Sequence, residues 1–122
     1  MVVGTVSMMT KARKYLGNYG EALARRAYEQ AGYEVLAQNW HGRAGEIDLV
    51  LERDGCVVVC EVKTRATERF GVPAEAVDWR KQRRLRTLAA EFLAERKPSC
   101  RTVRFDVVSI VSGRLQIIEE AF

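Results

Sequence analysis

Apolar residues recur at three- and four-residue intervals at Leu16, Tyr19, Leu23, Ala27, Tyr28 and Ala31, which predicts a helix over Lys11 to Ala31 with a candidate break at Gly17. Gly32 follows as the residue that ends it. Tyr33 to Ala37 reads as a short strand, and Asn39 to Gly45, with two glycines in seven residues, reads as a loop. Glu46 to Arg53 and Cys56 to Thr64 are strand-like and flank Asp54–Gly55, a strong hairpin signal because both residue types tolerate positive φ. After a loop through Gly71 and Pro73, the apolar positions Val77, Leu85, Leu88, Ala89, Phe92 and Leu93 mark one face of a second helix, capped by Asp78 and closed off by Pro98. Val103 to Val111 and Leu115 to Ile118 flank Ser112–Gly113 as a last hairpin. The order αβββαββ predicts an α/β sandwich around one central mixed sheet, a β-hairpin flanked by helices.

Composition narrows the class. The chain has 122 residues, 48% hydrophobic and 30% charged, which is enough for one core and too little for two. The expected organisation is a flexible segment over 1–10 and a single domain over 11–122. The net charge is +4, and Arg80 to Arg104 holds nine cations against Glu91 and Glu95, so the positive charge is concentrated where a polyanion would lie. Cys56, Cys60 and Cys100 are an odd set without metal-binding spacing, read as small core residues in a reducing compartment. Met1 to Met9 lacks the basic-then-apolar order of a secretion signal, and no apolar run approaches the ~18 residues of a membrane span, so the expected location is the cytoplasm and no membrane partner is expected.

With Asp54 and Gly55 as the turn, Asp48 lies opposite Glu61 and Glu46 opposite Lys63, and alternation puts all four on one face. The other face collects Ile47, Leu49, Leu51, Val58, Cys60 and Val62. Directly opposed carboxylates destabilise a sheet, whereas a divalent ion between them turns repulsion into coordination, and Mg²⁺ typically takes one or two protein carboxylates plus waters and a substrate phosphate. Lys63 beside them can orient or deprotonate an attacking water and offset phosphate charge, a grouping suited to phosphodiester hydrolysis. The plain alternative is a solvated ladder of ion pairs, each worth ~0–1 kcal/mol.

Gly45–Glu46–Ile47–Asp48–Leu49–Val50 and Glu61–Val62–Lys63–Thr64–Arg65 resemble the GEIDL…EVKTR signature of the bacterial YraN family, within the PD-(D/E)xK restriction-endonuclease-like superfamily. The similarity continues through Gly20–Glu21, Lys81–Gln82–Arg83–Arg84–Leu85 and Arg104–Phe105–Asp106–Val107–Val108, covering roughly residues 11–122. The resemblance implies a restriction-endonuclease-like, Holliday-junction-resolvase-like sandwich and a Mg²⁺ or Mn²⁺ cofactor. It implies Asp48 and Glu61 as metal-binding acids, Lys63 as the catalytic lysine and Glu21 as a further metal acid. Ile47 stands where the superfamily's name has proline, in keeping with the family's own pattern. Glu21 also has a plain explanation, since negative charge early in a helix is favourable. Glu46 has three readings: a second metal ligand within the catalytic group, a partner for Lys63, or a cap on the hairpin.

The implied partner is nucleic acid, DNA in preference to RNA. Arg43 and Arg65 flank the acidic face and are phosphate candidates, and Lys81, Gln82, Arg83 and Arg84 provide a second contact along the helix, part of which is simply solvated. His41, the sole histidine, excludes a two-histidine site and reads as structural. Trp40 and Trp79 read as core residues, with stacking on unpaired bases as the alternative. Three functions follow: a metal-dependent nuclease acting on branched or otherwise structured DNA, a nucleic-acid-binding module with little or no turnover, and a structural adaptor in a DNA repair or uptake complex. A chain with one active site would need a homodimer to cut both strands at once.

Overall fold

Two tight turns build the first half of the sheet. The computed structural model describes residues 17–65 and 77–122. The predicted flexible segment, the helix before Gly17 and the loop through Gly71 and Pro73 lie outside the described residues. Helix α1, over 17–30, ends where Gly32 takes φ +90° and the Tyr33 amide donates to the Tyr28 carbonyl at 3.0 Å. Strands β1 (Glu34–Gly42), β2 (Gly45–Arg53) and β3 (Cys56–Arg65) form an antiparallel meander. Asp54 (φ 52°) and Gly55 (φ 81°) make the two-residue turn that pairs Arg53 with Cys56. Helix α2 (Trp79–Arg96) crosses over to β4 (Thr102–Val111), which runs parallel to β3, and β5 (Arg114–Ile118) returns antiparallel through Ser112 and Gly113. The sheet order is β1-β2-β3-β4-β5, and the whole is the α/β sandwich with a central mixed sheet that the sequence predicts.

Both faces of the sheet are covered, one by each helix, rather than one being apolar and the other open. Ala24 and Tyr28 of α1 pack on Leu49, Leu51, Val58, Cys60, Val108 and Ile110, while Tyr19 and Ala31, expected on that stripe, are exposed. Leu85, Leu88, Ala89 and Phe92 of α2 pack on Val50, Val57, Val59 and Val107, with Trp40 edge-on to Phe92 at 5.3 Å between centroids. Burial of each such side chain contributes about 1.5–3 kcal/mol. Asp78 caps α2 as predicted, its side chain accepting from the Lys81 amide at 2.9 Å, and Lys97 ends it in the left-handed region one residue before Pro98. No helix among the described residues is long and apolar enough to cross a membrane.

Two expectations fail at one place. The segment read as a loop after Ala37 is strand as far as Gly42, so the turn contracts to Arg43 and Ala44. Within that strand Asn39 takes φ 51°, and the ladder steps from Gln38↔Leu49 to Trp40↔Ile47 around it. A left-handed residue inverts the alternation of a strand, and asparagine tolerates that region. Ile47 therefore joins Trp40 on the α2 side instead of lying with Leu49 and Leu51. Of the cysteines, Cys60 is buried, Cys56 is half-buried and Cys100 is exposed, so the core reading holds for one; all three are free thiols.

Asp106 is fully buried and fully partnered. It accepts from Tyr28 Oη at 2.7 Å, from Arg104 through both Nε and Nη2 at 2.9 Å, and from the Glu120 amide at 3.2 Å. A buried carboxylate is tolerable on these terms, and the bonds tie α1 to β4 and to the C-terminal segment. Burial and the neighbouring Cys60 and Asp106 hold the Tyr28 hydroxyl far above its usual range.

Candidate active site

The central feature is a place where strands part. β2 and β3 pair from Arg53↔Cys56 to Leu49↔Cys60 and no further, while β3 stays paired with β4 to Arg65↔Val111. Asp48 thus reaches Glu61's neighbourhood as predicted, but not as a ladder pair: its Oδ2 accepts from the Val62 amide at 2.8 Å, replacing the carbonyl that a continued β2 would have supplied. Glu61 is 6% exposed and points to the α2 side with Lys63. One oxygen, Glu61 Oε1, receives Lys81 Nζ at 2.6 Å and Lys63 Nζ at 3.4 Å. From the other helix, Gly17 and Glu21 join Asp48, Glu61, Val62, Lys63 and Thr64 around an open cleft of about 360 Å³.

Gly20 sets how close α1 comes. A Cβ there would run into Thr64 Oγ1 and Cβ, so glycine is what allows Glu21 to reach the cleft. Thr64 Oγ1 is buried without a hydrogen-bond partner among the described residues.

The charges are strongly coupled through burial. Burial, then the Glu61 carboxylate, push Asp48 up to about 7. Burial also raises Glu21, a hydrogen bond with Asn39 works against it, and Glu46 adds to it. Lys63 is held below the ordinary lysine range, first by burial and then by Lys81. For Lys81 burial acts downward, but the hydrogen bond and charge of Glu61 win and raise it. The pair therefore keeps its firmest positive charge on Lys81 and leaves Lys63 as the amine closer to neutrality.

Asp48, Glu61, Lys63 and Glu21 come together as expected. Among the described residues no three His, Cys, Asp or Glu side chains close on a common point as a ready metal cage. The donor set nonetheless fits Mg²⁺ or Mn²⁺ bound by two carboxylates and waters: half-buried Asp48 and buried Glu61 are neighbouring carboxylates whose mutual repulsion a divalent ion would relieve, with Glu21 on the same wall. Glu46 is not among the residues that line the cleft; it lies opposite His41 in the β1–β2 ladder, the ring Nε2 3.9 Å from its carboxylate.

The nucleic-acid candidates divide. Lys81 belongs to the acidic cluster, and Gln82 donates to the Val77 carbonyl, finishing the helix start. Arg83 and Arg84 are exposed on α2. Arg43 is exposed in the β1–β2 turn, which Glu91 pins to α2 by accepting from the Arg43 amide at 3.0 Å. Arg65 is half-buried at the end of β3. Trp40 is core, whereas Trp79 is 60% exposed. Sequence reasoning placed Lys81 among the phosphate contacts and missed its pairing with Glu61, although its position four before Leu85 and seven before Leu88 heads the buried stripe of α2. It also missed Asn39 and Thr64, for which the pattern carries no signal.

Comparison with known proteins places the chain beside a widespread family. The model of the uncharacterised protein family UPF0102 matches residues 20–110. A UPF0102 protein of Rhodococcus opacus is 44% identical over 112 residues, covering 88% of this chain and 95% of its own. One from Frankia alni is 48% identical over 84% of this chain and 86% of its own, and one from Moorella thermoacetica is 40% identical over 93% of this chain and its own full length.

Proposed function

The chain belongs to the uncharacterised protein family UPF0102, and from the chemistry of its cleft we propose that it is a Mg²⁺- or Mn²⁺-dependent nuclease hydrolysing phosphodiester bonds in structured DNA. The observation that carries this is the convergence of half-buried Asp48 and buried Glu61 with Lys63 and Glu21 on one open cleft where β2 and β3 separate. Stability does not favour such an arrangement, since burying opposed carboxylates raises the free energy of the fold. Function is the reason to keep it.

Asp48 and Glu61 would hold the ion, with Glu21 on the same cleft wall as a further oxygen ligand. When bound, the ion polarises a phosphoryl oxygen and steadies the leaving oxyanion. Lys63, its amine drawn toward neutrality by burial and by Lys81, takes a proton from the attacking water. The Val62 amide fixes Asp48 Oδ2, so one carboxylate oxygen is oriented before anything binds. Lys81 neutralises Glu61 at 2.6 Å and, with Glu61 engaged by a cation, would be released to face the scissile phosphate. Arg83, Arg84, Arg43 and Arg65 contact backbone phosphates, a second copy serves the opposite strand of a duplex, and the three free thiols suit a reducing cytoplasm.

A second reading, a nucleic-acid-binding module without turnover, is favoured by one contact: Lys81 already occupies Glu61 at 2.6 Å. Incubating labelled duplex, forked and four-way DNA with Mg²⁺ or Mn²⁺ separates the two. The nuclease reading expects cleavage of at least one of them, reduced about 10²-fold or more in Lys63→Met with DNA binding nearly intact. Binding without cleavage of any substrate would leave the second reading.

A further inference from the structure

The large hydrophobic side chains exposed among the described residues are Tyr19, Trp79 and Val103. Trp79 stands at the start of α2, the helix that brings Lys81 to Glu61, and Tyr19 lies on α1, the helix that carries Glu21. Trp79 is the first residue of its helix, and its indole is 60% exposed. Leaving an indole in water forgoes several kcal/mol of burial, and the fold does bury its other tryptophan against Phe92.

The surroundings of Trp79 say what kind of ligand would cover it. Arg80 and Arg83 place their guanidinium carbons 5.3 and 5.9 Å from the ring centroid, the first turn of α2 carries no acid, and the Asp78 carboxylate is spent on the Lys81 amide. An aromatic face edged by guanidinium groups matches a nucleobase stacked on the ring with its flanking phosphates on the arginines, the pairing by which single strands are held without reading sequence. A base inside a duplex is already stacked on both faces and has none to offer.

We propose that Trp79, with Arg80 and Arg83, is a stacking platform for an unpaired nucleobase at the start of the helix that brings Lys81 to the cleft. The substrate is then nucleic acid with unpaired nucleotides next to the scissile bond, such as a fork, flap or open junction, rather than continuous duplex. This rests on the nuclease reading of the cleft and names its substrate class.

The test is binding of a thymidine oligomer, a blunt duplex of the same length and a fork made from both, with metal chelated so that nothing is cut. Tryptophan emission reports directly, because Trp40 is buried and Trp79 is exposed. Single strand and fork should quench wild-type emission, and Trp79→Ala should bind them roughly 5- to 100-fold more weakly. Its duplex affinity should stay within about twofold, and Trp79→Phe should recover most of the loss because a smaller aromatic still stacks. Trp79→Ala binding single strand and fork like wild type would overturn the platform while leaving the nuclease reading standing. Equal losses on duplex would overturn it as well, as a general phosphate effect. Wild type binding none of the three would overturn both.

Discussion

At the scale of single residues, the cleft is a set of buried charges that the fold tolerates at a cost. Asp48 shows this most directly. Its carboxyl titrates near 7 in the folded chain against an ordinary value of 3.8, so between those pH values the folded state holds a proton that the unfolded state has released. Metal-free stability should therefore fall as pH rises from about 4 to about 7 and stay low above it. Asp48→Asn keeps an acceptor for the Val62 amide and removes the charge. With metal chelated it should be more stable than wild type at pH 8, on the order of 1–3 kcal/mol by denaturant unfolding, and indistinguishable from it near pH 4. A destabilised Asp48→Asn at pH 8 would mean that the charge is already compensated. The sequence made Asp48, Glu61 and Lys63 legible because a two-residue turn fixes hairpin register, and the register holds as far as Leu49↔Cys60. Lys81 was legible as a cation of the basic helix but not as the partner of Glu61, because that 2.6 Å contact spans twenty residues of chain and depends on where α2 docks.

At the scale of elements, each helix delivers one part of the site, and close packing sets its position. Gly20→Ala should push α1 off Thr64, costing about 1–3 kcal/mol, and should withdraw Glu21 from the cleft. Adding Thr64→Ala should return part of that stability, a coupling that a double-mutant cycle measures; additive losses would mean that the two residues do not touch. On α2, Arg83 and Arg84 are exposed and, in the proposed reading, contact backbone phosphates. Replacing both by alanine should weaken DNA binding across sequences and lower the slope of log affinity against log salt by about two units, and an unchanged slope would remove this helix from the interface. The helices were legible from their apolar stripes and from Asp78, Gly32 and Pro98. The missed element was the second half of β1: glycine and polar residues there read as loop, whereas Asn39 spends its tolerance of positive φ on turning Trp40 into the core. That inversion is decided by tertiary packing, whereas Glu46 misses Lys63 because the β2–β3 ladder ends at Leu49↔Cys60.

At the scale of the whole molecule, the order αβββαββ, one mixed sheet and a helix on each face all follow from local signals, and the family match covers the stretch that contains them. Less legible was the register of the parallel neighbour that β3 gains, β4, which pairs Cys56 with Thr102 and is set by contacts far apart in the chain. The parting of β2 from β3 is the structural event that matters for function: it opens an otherwise closed sheet and lets α1 and α2 both address the same carboxylates. The most direct measurement of the proposed chemistry is calorimetric titration of Mn²⁺ into the wild type and into the Asp48→Ala, Glu61→Ala double variant, with DNA cleavage assayed on the same preparations. Saturable metal uptake by the wild type, lost together with cleavage in the double variant, is the expected result. Equal uptake by both proteins, or cleavage that survives in the double variant, would contradict a hydrolytic site built on these two carboxylates.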